Sequence, residues 1–264
     1  MKIQLKKRLV IFVIFALACG WFVKIADVLL VNQPEGQSLG SLLWLITPFA
    51  AAVFLARVNK SAWKRLGILP GIKGNVKWYL ISFLVFPVTS LIMTGIGIGI
   101  GAIDTSKFIL SKFSLAIATF FIYNFFRVIL EETAWRGFLQ ERLMKLSVND
   151  WVVYIITALV WSTWHIPYYM YFYQGDAAGK MIFTCFILIF SWSILFSEIY
   201  SVTRSIWPCV LLHAATNAIQ FAMLEDYLVL DKGAAVFISP TLSIAACILY
   251  IGTGLLIRKW RKAR

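Results

Sequence analysis

The sequence has 264 residues, of which 61% are hydrophobic and only 14% are charged. Soluble domains carry about a quarter charged residues, so this composition excludes an ordinary water-soluble enzyme and predicts a protein whose main partner is the lipid bilayer. The formal net charge of +13 does not indicate a nucleic-acid partner, because the positive residues stand in short clusters between apolar runs and form no nucleic-acid-binding motif.

Eight hydrophobic segments follow one another along the chain. Their approximate limits are 9–31, 39–58, 78–101, 114–135, 151–172, 181–199, 207–224 and 240–257. The first segment begins like a signal peptide but continues to Val31, so we expect an uncleaved spanning helix. The pattern predicts an all-α membrane protein, a bundle of about eight transmembrane helices forming a single domain over residues 1–264.

The distribution of lysine and arginine between the segments predicts the orientation. With the N-terminus inside, the inner connections and termini contain 18 Lys and Arg residues, whereas the outer ones contain only Lys107, Lys112, Lys180 and Lys232. Positive residues favour the cytoplasmic side of a membrane. We therefore expect a multi-pass protein of the cell membrane with both termini in the cytoplasm.

The fourth segment contains charged residues that a spanning helix rarely carries, namely Glu131, Glu132 and Arg136. A charge at the centre of such a helix costs roughly 2.5–3.5 kcal/mol on insertion scales, so it needs a functional or structural reason. At about 100° per residue, Glu132 and Arg136 share a face and can pair. Glu131 points about 100° away from Glu132, towards the face of Asn124 and Arg127.

The only two histidines of the chain, His165 and His213, both lie in predicted spans. His213 and Asn217 are four residues apart and project from one helical face. Pro167 disfavours helical geometry at the residue before it, which predicts that the helix bends or ends near His165. Singly, each of these residues fits a structural hydrogen bond between helices. Together with the glutamates they supply a base, donors and orienting groups on three apolar helices, which favours a catalytic site.

In these three segments the sequence resembles the CPBP (Abi) family of intramembrane proteases, which includes CaaX proteases and bacteriocin-processing enzymes. The family has an EExxxR motif, an aromatic residue four before a histidine, and an HxxxN motif. They are matched by Glu131-Glu132-Thr-Ala-Trp-Arg136, Trp161-Ser-Thr-Trp-His165 and His213-Ala-Ala-Thr-Asn217. Their order and separations also fit, over about residues 120–220. The resemblance implies an eight-helix layout similar to that of archaeal and eukaryotic CaaX endopeptidases, with a catalytic core at about residues 114–224.

The resemblance also implies a role for each motif residue in peptide hydrolysis. Glu131 with His165 would position and deprotonate the attacking water. His213 and Asn217 would donate hydrogen bonds to the tetrahedral oxyanion. Glu132 and Arg136 would hold the helix of the first motif in place.

The same residues leave the metal question open. Glu131, His165 and His213 could furnish the three protein ligands of a catalytic zinc, with one position for water. However, the HExxH spacing of soluble zinc proteases is absent, and asparagine is a poor zinc ligand. The four cysteines are widely separated and form no CxxC pair, which makes a thiolate site improbable. We favour a mechanism without a metal or other cofactor and keep zinc as the alternative.

Other functions also fit this sequence. On the same fold the chain could be a non-proteolytic membrane regulator or a bacteriocin-immunity protein, although its six intact motif positions favour catalysis. A transporter would explain charges such as Lys24 and Asp27, but these equally fit a structural ion pair, and no inverted repeat is evident. The expected substrate is a peptide or membrane protein. In a bacterial chain this would be a leader peptide, a pheromone or a bacteriocin precursor, since nothing identifies a prenyl site. The sequence does not predict the oligomeric state.

Overall fold

The computed structural model describes residues 2–29, 38–57, 66–173, 175–223, 228–231 and 233–264. It is about 82% helical, which fits the predicted all-α class. One small departure is a pair of two-residue antiparallel strands, β1 (Ile103–Asp104) and β2 (Val229–Leu230), in which Ile103 faces Leu230.

In chain order, the helices are α1 (Lys2–Leu29), α2 (Leu39–Arg57), α3 (Val76–Gly99), α4 (Leu110–Glu132), a π-helical segment (Thr133–Gln140), α5 (Glu141–Lys145), α6 (Asp150–Phe172), α7 (Asp176–Thr203), α8 (Trp207–Met223), α9 (Ala235–Ile238) and α10 (Ile244–Lys262).

Each of the eight predicted spans coincides with a long helix. Within the described residues, four of these helical stretches are long and apolar enough to cross a membrane: Leu39–Ala56, Val76–Gly99, Leu110–Lys145 and Asp176–Thr203. Large apolar side chains on them point outward, among them Leu91 on α3 and Phe126 on α4, which are 73% and 67% exposed. Lipid is the solvent in which such surfaces are stable. Membrane insertion of the other four helices and the orientation of the termini stay predictions.

The predicted end of the fourth span is wrong. The hydrophobic pattern placed its end at residue 135, but the helix continues through the π-helical segment and α5 to Lys145. All eight residues of the π-helical segment are buried, so this polar stretch is covered by protein and not by water or lipid. The helix therefore extends past the charges of the first motif.

The sequence predicted that the helix bends or ends near His165, and the second of these alternatives is wrong. Helix α6 runs without interruption through Pro167 and ends at Phe172, so His165 lies inside it. A proline removes only its own N–H from the helical ladder, and neighbouring groups can compensate inside a packed bundle. The side chains of Pro167 and Trp44 both lie within about 3 Å of where a Cβ on Gly20 would be, so α1 approaches α6 closely at this glycine.

Of the two charged residues in the first predicted span, Lys24 lies outside the described part of the structure, because its side chain is not described. Asp27 accepts hydrogen bonds from the Ser38 hydroxyl and the Gly40 N–H, both at 2.8 Å. Gly40 is in the first turn of α2, where backbone N–H groups have no helical acceptor. Asp27 thus has a structural role as a cap for α2.

Two compact units can be distinguished, and each takes segments from both halves of the chain. The first unit comprises Met1–Leu69 and Leu130–Ser193, and the second comprises Pro70–Ile129 and Ile194–Arg264. In the first unit, α1 packs against α2 and α6, and α2 packs against the π-helical segment. In the second, α3 packs against α8 and α10. That the whole chain is a single membrane domain stays a prediction.

Aromatic side chains form the centre of each unit. In the first, Phe12 packs against Phe138 and Trp135, with ring centroids 4.8 and 6.1 Å apart. In the second, Phe86 packs against Tyr250 at 4.5 Å and Phe196 at 6.4 Å. In the first unit these contacts pack α1 against the π-helical segment that contains Arg136.

Candidate active site

The first motif is held by a buried ion pair. Arg136 Nη1 lies 3.2 Å from Glu132 Oε1, and both side chains are completely buried. The Arg136 guanidinium also stacks over the indole of Trp161, 4.3 Å from the ring centroid. The pairing predicted from helical spacing is therefore present, and it joins the start of the π-helical segment to α6.

Glu131 occupies a different environment from its neighbour. Glu131 is only 4% exposed, and its Oε2 accepts a hydrogen bond from the indole N–H of Trp161 at 3.3 Å. A buried carboxylate is costly unless hydrogen bonds or charges stabilise it. Adjacent glutamates thus have separate partners: Glu132 pairs with a guanidinium, and Glu131 accepts from a neutral donor.

His165 is oriented by its own helix. Its Nδ1 lies 2.9 Å from the backbone carbonyl oxygen of Trp161. A carbonyl can only accept, so Nδ1 carries the proton, and in a neutral imidazole Nε2 is then the acceptor nitrogen. Rings surround the half-buried imidazole: Trp164 at 4.7 Å, Trp44 at 5.7 Å and Tyr169 at 5.9 Å between centroids.

Glu131 and His165 lie at similar heights in an antiparallel hairpin. Glu131 is 14 residues before the end of α5 at Lys145, and His165 is 15 residues after the start of α6 at Asp150. Equal arms on either side of the turn at 146–149 place both residues about 20 Å from that turn. If the helix ended at residue 135, as the hydrophobic pattern predicted, Glu131 would lie near the end of its helix and much nearer the connecting turn than His165. The continuation of the helix to Lys145 places the two residues at similar distances from that turn.

Trp161 is the residue that sequence reasoning did not select. It contacts Glu131 through its indole N–H, Arg136 through its ring face and His165 through its carbonyl oxygen. Its only signal in the sequence is its position as the aromatic residue four before the histidine. The structure brings Glu131, Glu132, Arg136 and His165 together around this one residue.

His213 and Asn217 lie on α8 in the second unit. His213 is 3% exposed and meets the ring of Phe196 edge-on at 5.7 Å. The Asn217 amide donates from Nδ2 to Asn124 Oδ1 at 3.2 Å, and Asn124 donates from its own Nδ2 to the Phe120 carbonyl at 2.8 Å. This chain of bonds fixes which way both amides face. Asn124 is completely buried, and it is a second orienting residue that the motifs do not include.

The predicted zinc ligands come from both units, Glu131 and His165 from the first and His213 from the second. Over the described parts of the chain, no three His, Cys, Asp or Glu side chains are grouped as metal ligands. For His165, Nε2 is the nitrogen that could bind a metal, because Nδ1 donates to a carbonyl.

The part of the chain that contains these residues is similar in sequence to a known protein family. Residues 113–219 match the family model described as type II CAAX prenyl endopeptidase Rce1-like. The match confirms the CPBP resemblance over this region, and the region contains all six motif residues. Proteins of this model are named as endopeptidases, which are hydrolases. The four long apolar helices are those of a membrane protein. No curated protein matches the chain significantly.

Proposed function

We propose that the protein is an intramembrane endopeptidase that hydrolyses a peptide bond of a membrane-associated protein or peptide. The observation that carries the proposal is the buried Glu131 carboxylate, hydrogen-bonded by the same Trp161 whose carbonyl orients His165. A carboxylate and an imidazole lone pair on one rigid support are a suitable pair for activating water.

In the first step, a water molecule donates one hydrogen bond to Glu131 and one to Nε2 of His165. Glu131 takes a proton as the water oxygen attacks the carbonyl carbon of the substrate, and the carbonyl oxygen becomes an oxyanion. The Trp161 N–H holds the carboxylate in position, which reduces the entropy that must be lost when the water binds. The proton then passes from Glu131 to the amide nitrogen, and the C–N bond breaks to release the amine.

His213 and Asn217 are proposed as the oxyanion donors. They are one turn apart on α8, so one substrate oxygen can accept from both. One N–H of the Asn217 amide already donates to Asn124, which leaves the other N–H of the same nitrogen for the substrate. The fixed amide would contribute without reorganising during the reaction.

Glu132 and Arg136 are proposed as positioning residues and not as reacting groups. Their pair is completely buried, and Arg136 packs on Trp161, which in turn donates to Glu131. Loss of either partner would leave a buried charge and displace the indole.

The experiment measures peptide cleavage by purified full-length protein in proteoliposomes. Two probes are used, a farnesylated peptide ending in CaaX and an internally quenched unprenylated leader peptide. The name of the matched family indicates the first probe, and the substrate expected for a bacterial chain indicates the second. Glu131→Gln and His165→Ala should each lower kcat by about 10²- to 10⁴-fold. His213→Ala and Asn217→Ala should lower it by about 10²- to 10³-fold.

Asp104→Asn is the matched control, since it also converts a carboxylate to an amide but at an exposed strand residue. It should retain wild-type activity. Equal cleavage by wild-type protein and correctly inserted Glu131→Gln would exclude the mechanism. If the wild-type protein cleaves neither probe, a non-proteolytic regulator or immunity protein becomes the better hypothesis.

We propose that no metal takes part, because the HExxH spacing is absent and asparagine is a poor zinc ligand. Chelator treatment of the active enzyme should leave the rate unchanged, and metal analysis should find less than one zinc per chain. Loss of activity with chelator and its recovery with zinc would instead support the ligand set Glu131, His165 and His213.

A further inference from the structure

A basic cavity lies in the second unit where three helices begin or end. Its volume is about 360 Å³. Its lining includes the first turn of α3, the last turn of α7 and the end of α10, with the side chains of Lys77, Trp78, Ser201, Trp260, Arg261 and Arg264. None of these residues belongs to the three motifs.

The cavity carries excess positive charge. Three of its lining residues are cationic, and no described residue that lines it is acidic. Arg261 is held by Glu198, from Nε to Oε2 at 2.7 Å and from Nη2 to Oε1 at 2.9 Å. That completely buried carboxylate balances Arg261. The excess positive charge among the side chains therefore comes from Lys77 and Arg264.

One indole holds these two cations close together. Lys77 Nζ lies 4.3 Å and Arg264 Cζ 3.9 Å from the centroid of Trp260, so the two charges are no more than about 8 Å apart. Cation–π contacts orient the cations but do not neutralise them. Like charges at this distance repel, and an anion that contacts both would remove the repulsion. A phosphate group has the charge and the acceptor oxygens for this role.

The position of the cavity indicates a membrane lipid as the source of the phosphate. Helices α3 and α7 both belong to stretches that are long and apolar enough to cross a membrane, and the cavity lies at their ends. Lipid phosphates lie at the depth where spanning helices leave the hydrocarbon, and Trp78 and Trp260 are side chains typical of that depth. One turn further along α3, Leu80, Phe83 and Leu84 are exposed and could contact acyl chains.

We propose that this cavity binds the phosphate of an anionic glycerophospholipid. Lys77 and Arg264 make the charged contacts, and the acyl chains lie along the exposed apolar face of α3. Basic pockets between spanning helices commonly recognise lipid headgroups in this way. The inference is independent of the proposed function, because it uses no motif residue and its test does not measure proteolysis.

The test counts lipids bound to purified full-length protein by native mass spectrometry from a neutral detergent. The probes are phosphatidylglycerol, phosphatidylcholine and inorganic phosphate. Wild-type protein should bind phosphatidylglycerol more tightly than phosphatidylcholine. Lys77→Ala/Arg264→Ala should weaken this binding roughly 25-fold, since each cation at an anionic membrane surface contributes about a factor of five.

Lys107→Ala/Lys112→Ala is the matched control, because it removes two exposed positive charges outside the cavity and should bind as wild type does. Arg264 lies beyond the end of α10, so the single variant Arg264→Ala removes the charged contact to the lipid without altering that helix. We expect about a fivefold loss of affinity for phosphatidylglycerol. Equal binding of phosphatidylglycerol by wild type and the double variant would overturn the proposal. So would equal affinity for phosphatidylcholine. Displacement of the lipid by inorganic phosphate at equal concentration would show a free-anion site and overturn the lipid assignment.

Discussion

Trp161 contacts three motif residues in three different ways. Its indole N–H donates a hydrogen bond to Glu131, and its ring face packs against the Arg136 guanidinium. Its backbone carbonyl accepts from His165 and so orients that ring. A phenylalanine could preserve the ring contact and the carbonyl bond but not the N–H bond. The contribution of that single bond can therefore be measured separately from the packing.

We predict that Trp161→Phe lowers kcat by roughly 10- to 100-fold, because a hydrogen bond to a charged group contributes about 1.5–3 kcal/mol. KM should stay within about twofold, since no substrate contact is removed. Steady-state kinetics with the cleaved probe would check both values. Trp151→Phe, at the exposed start of α6, is the control and should be unchanged. A rise in KM with unchanged kcat would contradict the positioning role.

The six motif residues were predicted from residue type and spacing, but the side chains that contact them in other helices were not. Helical periodicity correctly paired Glu132 with Arg136, because both partners lie on one helix. The bond from Trp161 to Glu131 joins two helices, and the bond from Asn217 to Asn124 joins residues 93 apart in the chain. Such contacts depend on how helices rotate against each other, and packing decides that rotation.

At the scale of the helices, the π-helical segment is the feature that the sequence did not predict. Its wider turn includes one extra residue, which is unfavourable unless tertiary contacts support it, and such turns are frequent at functional sites. Here all eight residues are buried, and Arg136 is fixed at both Glu132 and Trp161. Hydropathy alone stops the helix at its charges, since it does not include the buried ion pair that makes them acceptable.

We predict that Arg136→Met lowers the free energy of unfolding by about 3–5 kcal/mol, because it leaves the buried Glu132 carboxylate without its guanidinium. Lys145→Met is the matched control. It breaks a second pair of the same spacing, at 3.3 Å from Glu141, but Lys145 is 23% exposed, so less than about 1 kcal/mol is expected. Denaturant unfolding in micelles measures both. Glu132→Gln/Arg136→Met should recover part of the loss, and no recovery would argue against the ion pair.

Helix α10 provides a test of close packing within the second unit. A Cβ on Gly254 would lie 2.9 Å from the Leu195 backbone nitrogen of α7, whereas one on Gly252 would meet nothing within 4 Å. Gly254→Ala should therefore destabilise the protein by about 1–3 kcal/mol. Gly252→Ala should change stability by less than about 0.5 kcal/mol. Thermal unfolding of the two variants side by side measures the difference, and equal melting temperatures would contradict this packing.

For the whole molecule, composition and hydropathy were informative because lipid imposes long apolar helices on any spanning chain. The eight hydrophobic segments therefore coincide with eight helices. The division into two compact units is not visible in the sequence, since each unit combines distant segments, and only tertiary contacts define such groups.

Orientation can be tested by cysteine labelling, because the four native cysteines are buried and should give little background. We predict that a cysteine replacing Ser106, in the exposed turn after β1, reacts with an impermeant maleimide in intact cells. A cysteine replacing Lys262 at the end of α10 should react only after the membrane is opened. This follows from eight spans with both termini inside. The opposite pattern would reverse the topology, and labelling of both positions in intact cells would require an even number of spans between them.

The equal arms of the hairpin formed by α4 to α6 have a consequence for how the protein responds to its membrane. Glu131 and His165 are counted from the same turn, so a shift or tilt of the hairpin in a thicker or thinner bilayer moves the carboxylate and the imidazole together. Bilayer thickness would then change how deeply a scissile bond must enter, while the two groups proposed to act on it keep their alignment.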